Sequence, residues 1–283
     1  MTSTTVLGMP GFGAPAALSP REAELRTARL QAIRDGSLGT VHSWELVTAV
    51  DGPGTRLTVF LSGCALRCQY CHNPDTWNIR HGRETPLADV LAQVDRYARV
   101  FAATGGGVTL TGGEPLLQPT FVARFFAHCA EQGIHTALDT SGFLGARADD
   151  ALLDDTSLVL LDVKSGLPAV YREATGRELE PTLVLGRRLA TRGNRMWIRF
   201  VLVPGLTDGK ENVDAVADYA ASLQQLGSGG AVERVEVLPF HQLGRDKWHE
   251  LGRAYPLEHT PPPDAELLAR VRGQFRARGL PVC

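Results

Sequence analysis

Six short apolar runs of β-prone residues constrain this chain most. They lie at Leu57–Leu61, Gly107–Leu110, His135–Asp139, Leu158–Val163, Trp197–Val203 and Val232–Leu238. Each is continuous rather than alternating, as strands buried on both faces are. Helical patterns separate them. In Pro86–Phe101, Leu87, Val90, Leu91, Val94, Tyr97, Ala98 and Phe101 recur at three- and four-residue spacing, with Thr85 as expected cap. Phe121, Val122, Phe125, Phe126 and Cys129 mark the next helix, ending near Gly133. Further helices are expected at 148–155, 180–192, 211–226 and 264–278. Strand and helix alternate about six times, which predicts a parallel α/β architecture.

Two windings satisfy that alternation: an open doubly wound sheet and a partial barrel. Chemically loaded residues follow nearly every run. Cys64 follows the first, Thr111-Gly112-Gly113-Glu114 the second, Asp139-Thr140-Ser141 the third and Asp162-Val163-Lys164 the fourth. Pro204-Gly205 and Pro239-Phe240-His241 follow the last two. A barrel gathers all strand ends on one rim, whereas an open sheet favours the strands beside one crevice. The expected fold is therefore an α/β partial (β/α)6 barrel of the TIM type.

The remaining chain is read as trimming. Residues 1–38 form an expected N-terminal extension, with 39–283 as the barrel domain. Met1 to Ala17 reads as a disordered tail without the basic start and apolar run of a signal peptide. Ser19-Pro20-Arg21-Glu22 reads as a capping box opening a helix from Pro20 to Arg34 that ends at Gly36. The 283 residues carry 29 Lys plus Arg against 31 Asp plus Glu, and no basic block, which argues against a nucleic-acid partner. No apolar stretch reaches the roughly 18 to 20 residues of a membrane span.

Three of the five cysteines fall within eight residues: Cys64, Cys68 and Cys71. The odd, clustered count does not suit a secreted disulfide framework. On a helix this Cys-x3-Cys-x2-Cys spacing would put three small hydrophobes on one face. Flanking Gly63 and Pro74, with polar Arg67, Gln69 and Asn73, weigh against that. Structural zinc would need a fourth ligand such as His72, at an awkward neighbouring position. Three thiolates on a short loop suit a cuboidal iron–sulfur cluster with one iron left open for another ligand.

Several other motifs have two readings. Gly105-Gly106-Gly107 lacks the Lys-Ser/Thr of a phosphate loop and reads as a tight turn. In Gly112-Gly113-Glu114 the glycines permit close backbone approach to a ligand, and a carboxylate can receive an ammonium; an ordinary strand-to-helix turn is the other reading. Asp139 and Asp162 could hold a cation, or form salt bridges with partners such as Lys164. Arg199 sits inside the apolar run Trp197-Ile198-Arg199-Phe200, so it must meet an anion or face the barrel mouth. His241 is either structural or a ligand contact.

Together these segments resemble the radical S-adenosylmethionine superfamily. The cysteine motif follows the first strand, with aromatic Tyr70 before the last cysteine. Val50-Asp51-Gly52-Pro53-Gly54-Thr55-Arg56 precedes that strand, and Cys71-His72-Asn73-Pro74-Asp75-Thr76-Trp77 closes the loop. These, with matching segments from about Val41 to Gly279, resemble the glycyl-radical-enzyme activating family. The 40 residues between Cys71 and Gly112 hold no cysteine, unlike branches carrying a domain with two further clusters. The resemblance points to the single-cluster branch, whose partner is pyruvate formate-lyase.

The resemblance implies a [4Fe-4S] cluster on Cys64, Cys68 and Cys71. It implies S-adenosylmethionine held by Tyr70, Gly112, Gly113, Glu114, Asp139, Lys164, Arg199 and His241. A monovalent cation, Na+ or K+, is implied at Asp139, Thr140, the Leu160 carbonyl and Asp162. Ser141 departs from the asparagine of the best-known members. Asp51, Gly52, Pro53 and Gly54 are expected at the target peptide. The implied reaction cleaves the cofactor reductively, and the resulting 5′-deoxyadenosyl radical takes a hydrogen atom from a glycine of the partner enzyme. Flavodoxin or ferredoxin is the expected electron donor, the cytoplasm the expected compartment, and a monomer the expected state. Activation of another glycyl-radical enzyme, radical chemistry on a small metabolite and simple electron carriage are the competing readings. Cys129 is expected on the apolar helix stripe, and Cys283 as an exposed thiol without a role.

Overall fold

A computed structural model of the protein describes residues 19–48 and 51–283. The expected disordered tail and Val50 lie outside the described residues.

The chain enters through α1 (Pro20–Arg34), which carries the expected capping box: Ser19 Oγ accepts from the Glu22 amide, and the Glu22 side chain accepts from the Ser19 amide. Next come β1 (Leu38–Thr48) and β2 (Thr55–Leu61). After the cysteine loop follow β3 (Arg83–Pro86), α2 (Leu87–Thr104), β4 (Gly107–Gly112), α3 (Pro119–Glu131), β5 (His135–Thr140), α4 (Asp150–Asp154) and β6 (Leu158–Asp162). The rest is α5 (Pro168–Thr175), α6 (Glu180–Arg192), β7 (Met196–Leu202), α7 (Lys210–Leu223), β8 (Val232–Pro239), α8 (Arg245–Glu250) and α9 (Ala265–Arg276).

All eight strands form one sheet in the order β3-β1-β2-β4-β5-β6-β7-β8. Its last six strands are the six expected runs, parallel and in sequence order. A doubly wound sheet reverses its strand order at a switch point. These six show no reversal, which is the partial-barrel winding. The sheet does not close. The C-terminal segment covers part of the β8 edge, where the Cys283 amide donates to the Val235 carbonyl. On the other side β1 and β3 extend the sheet antiparallel.

The strands alternate between two environments. Leu57, Val59 and Leu61 of β2 join the large core under the helices, as do Val108 and Leu110, Leu138, Val159 and Leu161, and Ile198 and Phe200. The intervening residues face the barrel interior. Ala137, Leu158, Leu160 and Trp197 pack together as its small apolar filling. One step further along, Phe60, Thr111, Asp139, Asp162 and Arg199 line a cavity. A period of two thus separates fold from site along each strand.

The helix α3 stripe is buried as its spacing predicts, Cys129 included. The cap expected for the preceding helix is corrected. Thr85 is buried in β3 opposite Gly39, and Pro86 takes an extended ψ of 139° as the residue before the helix. The first helical residue is Leu87, whose amide donates to the Ser37 carbonyl. Strand pairing here overrides the Thr-Pro capping signal.

Candidate active site

The cavity at the C-terminal ends of the parallel strands has a volume of about 490 Å3. Cys64, Cys68 and Cys71 all line it. Their loop is irregular, which removes the reading of three core hydrophobes on a helix. The Cys64 amide donates to the Trp77 carbonyl, and the Arg67 and Gln69 amides donate to the Thr175 and Ala174 carbonyls at the end of α5. From the far side, Trp248 Nε1 donates to the Cys71 carbonyl at 2.9 Å, and Lys247 Nζ reaches Asn73 at 2.9 Å and Asp75 at 3.1 Å. Trp77 and Trp248 meet edge to face. Residues 172 to 177 positions apart in sequence therefore fix the shape of the loop.

Burial pushes the Cys64 and Cys68 thiols up to about 12 and the Cys71 thiol up to about 11. Among the described residues no three His, Cys, Asp or Glu side chains converge as ligands of a single metal ion. Thiolates that each hold a different iron of a cluster need no common point. Three thiols on one cavity wall fit that larger group.

The rim is ionic. Arg199 Nη1 lies 3.1 Å from Asp139 and 3.3 Å from Asp51, and its Nε lies 3.6 Å from Glu236. The expected anions for this in-strand guanidinium are thus three carboxylates. Burial opposes its charge, and Asp139, Asp162, Asp51 and Glu236 hold it on. Lys164 Nζ contacts Asp162 at 2.6 Å and sits over the Tyr70 ring. Burial pulls the ammonium down, and Asp162, Tyr70 and Cys68 together more than restore it. Asp139 is pushed up by burial, partly offset by Arg199, and Thr111 Oγ1 donates to its Oδ2 at 2.6 Å.

Three buried polar atoms in this wall have no hydrogen-bond partner among the described residues: Asp139 Oδ1, Arg199 Nε and Tyr70 Oη. Such an atom costs of order 1–3 kcal/mol until something pairs with it. A zwitterionic ligand with both an ammonium and a carboxylate supplies partners of both signs.

The expected site residues divide. Tyr70, Gly112, Gly113, Asp139, Thr140, Asp162, Lys164, Arg199 and His241 all line the cavity, with Asp51 from the loop before β2. His241 stacks on His72 with centroids 4.1 Å apart. Glu114 is different. Its carboxylate is buried and turned to the tip of β5, accepting from Thr140 Oγ1 at 2.7 Å, the Ser141 amide at 3.0 Å, Ser141 Oγ at 2.5 Å and the Leu116 amide at 3.1 Å. These four donors fill it, and Glu114 is not in the cavity wall. Within the chain Glu114 thus ties two strand ends together. Leu160 also lies outside the cavity wall, packed in the barrel filling.

Gly112 and Gly113 answer to the backbone before any ligand. Gly112 has φ +109°, and a Cβ there would stand 2.4 Å from the Leu61 nitrogen. At Gly113 it would stand 2.2 Å from the Gly63 carbonyl oxygen. The pair lets the β4 turn press against the start of the cysteine loop.

In the Asp51–Gly54 loop only Asp51 reaches the cavity; Gly52, Pro53 and Gly54 do not. Asp51 itself has φ +57°. Sequence reading missed what anchors this loop. Arg56 is completely buried under it; Nε donates to Thr109 Oγ1 at 2.6 Å, Nη1 to the Pro53 carbonyl at 3.1 Å, and Nη2 to the Val108 carbonyl. Thr109 Oγ1 in turn donates to the Asp51 carbonyl at 2.7 Å. The signal was available: Arg56 interrupts an apolar strand as Arg199 does. Gly105-Gly106-Gly107 is the expected turn, packed against Thr55.

The chain is similar to several known proteins. Residues 58–218 match the profile of the radical SAM superfamily. The pyruvate formate-lyase 1-activating enzyme of Escherichia coli (strain K12) is 40% identical over 245 residues, 86% of this chain and 97% of that protein. The pyruvate formate-lyase-activating enzyme of Clostridium pasteurianum is 42% identical over 229 residues, 81% of this chain and 93% of that one. A crystal structure of a domain of pyruvate-formate lyase-activating enzyme from Bacteroides vulgatus superimposes with a TM-score of 0.50 at 27% identity, covering 63% of this chain and 98% of the domain.

Proposed function

The chain belongs to the radical SAM superfamily and, within it, to the family of pyruvate formate-lyase-activating enzymes; from that premise we propose that it installs a glycyl radical in pyruvate formate-lyase. The observation that carries the reading is one cavity lined by three thiols, an ionic rim and Asp51 of the glycine-rich loop. When bound, the [4Fe-4S] cluster and S-adenosylmethionine supply reductive cleavage of the sulfonium and a hydrogen-atom abstractor.

The protein's own part is to hold, orient and exclude water. Cys64, Cys68 and Cys71 would hold the cluster, giving up their thiol protons to do so. Gly112 and Gly113, which line the cavity, would meet the cofactor's amino group. Lys164 and Arg199 meet anionic groups, and Tyr70 and His241 flank the cofactor. The unpartnered Asp139 Oδ1, with Thr140 and Asp162 beside it, supports a monovalent cation there; Leu160 would contribute through its carbonyl alone. Asp51 stands where a backbone glycine of the partner would enter, with Gly52, Pro53 and Gly54 shaping the approach. A flavodoxin or ferredoxin supplies the electron, the cytoplasm is the compartment, and the protein works as a monomer. Residues 39–283 act as the barrel domain, with 1–38 as an appendage. Among the described residues no helix is long and apolar enough to cross a membrane.

The test is anaerobic incubation of the reconstituted protein with S-adenosylmethionine, a reductant and pyruvate formate-lyase. Electron paramagnetic resonance should show a glycyl signal, absent with Cys68→Ala. Turnover of a free metabolite without any such signal would favour the small-molecule reading.

A further inference from the structure

A second cavity of about 590 Å3 lies outside the site and shares no lining residue with it. Its walls come from α1, the β1–β3 edge, the start of α3 and the short helix at Ile79–His81. Basic residues crowd it. Arg29 is paired with Glu84. Arg34, Arg80 and Arg147 also line it, and among the described residues no ion pair or side-chain hydrogen bond engages their guanidinium groups. Between them lies apolar surface: Ile33 and Ile79 are 40% and 41% exposed, against the general burial of large aliphatic side chains here. An apolar floor with a charged rim is the anatomy of a protein-docking surface. Three guanidinium groups without a partner among the described residues call for an acidic partner.

The position of this groove tells which partner. Its floor residues Leu117 and Ile79 are the atoms nearest Gly63, where a Cβ would stand 2.3 Å from Leu117 and 3.4 Å from Ile79. Gly63 precedes Cys64. The groove therefore backs onto the cysteine loop, one side-chain layer behind the first thiol, while the cavity mouth stays free. A protein seated there can pass an electron without competing with the glycine that must enter from the other side.

We propose that this groove docks the acidic one-electron carrier protein that reduces the cluster, with Arg34, Arg80 and Arg147 as its charge anchors. The inference rests on the proposed function above. One electron leaves the reduced carrier, oxidising it by one unit, and the cluster gains it; no bond or proton changes hands in that step.

The test uses the reconstituted full chain, with reduced flavodoxin as probe and dithionite as the small chemical reductant. In the triple variant Arg34→Glu, Arg80→Glu, Arg147→Glu, flavodoxin affinity should fall about tenfold or more, because like charges now face each other. Flavodoxin-driven formation of 5′-deoxyadenosine should fall with it, and the wild-type affinity should weaken as salt rises. Dithionite-driven cleavage and the melting temperature should hold. The triple Arg→Lys variant should retain most of the binding, which separates charge from folding. Unchanged flavodoxin affinity in the glutamate variant overturns the proposal. So does a variant that binds flavodoxin normally and loses only pyruvate formate-lyase, which would assign the groove to that enzyme. Wild-type protein that makes no 5′-deoxyadenosine with dithionite overturns the proposed function, and this inference with it.

Discussion

Two buried arginines, Arg56 and Arg199, divide the barrel interior into a part that holds the fold and a part that does chemistry. Arg56, beneath the glycine-rich loop, gives its donors to Thr109 and to backbone carbonyls. Burial pulls it down to about 10, and its one notable charge partner is Asp51. Arg199, at the mouth, faces Asp139, Asp51 and Glu236, yet among the described residues its Nε has no hydrogen-bond partner. The first is satisfied by the chain itself. The second is satisfied in charge, but among the described residues its Nε has no hydrogen-bond partner, and neither have Asp139 Oδ1 and Tyr70 Oη in the same wall. A buried group that the fold leaves incomplete marks the place of a ligand; a group the fold completes marks a strut.

The same conservative change should therefore give opposite results at the two positions. Lysine keeps the charge but loses the planar fork. Arg199→Lys should lower the rate of S-adenosylmethionine cleavage about 10²-fold, as loss of a preorganised polar contact does, with little change in melting temperature. Arg56→Lys should instead cost about 2 kcal/mol or more of stability, since one ammonium cannot serve Pro53, Val108 and Thr109 together. Its activity, measured where it is folded, should fall much less. Equal loss of activity in both variants would mean that the two arginines share one role. A smaller effect is expected outside the barrel interior. Cys129→Ala should cost about 1 kcal/mol by thinning the core under α3 and leave the iron content unchanged. Lost iron in that variant would overturn the three-cysteine assignment.

What the sequence revealed follows the same line. The six parallel strands were legible because both their faces are buried, which makes each a continuous apolar run. β1 and β3 were not, because they lie on the sheet margin with exposed positions. In β1 a register shift between Val41 and Ser43 also breaks the period. Arg199 stood out inside an apolar run. Arg56 carried the same signal but followed Gly-Pro-Gly, and the turn reading absorbed it. Glu114 could not be resolved from its own neighbourhood. Whether its carboxylate faces the ligand or the β5 tip depends on Thr140 and Ser141, 26 and 27 residues later. The second groove was equally hidden, since it joins α1 to residues near 80, 117 and 147.

In the proposed function, the radical chemistry of this mouth acts on a backbone glycine of another protein. The most direct measurement uses pyruvate formate-lyase carrying α-deuterated glycine. After anaerobic turnover, 5′-deoxyadenosine should contain deuterium, and the partner should show the glycyl signal. Deuterium-free 5′-deoxyadenosine accompanying a silent partner would contradict the account.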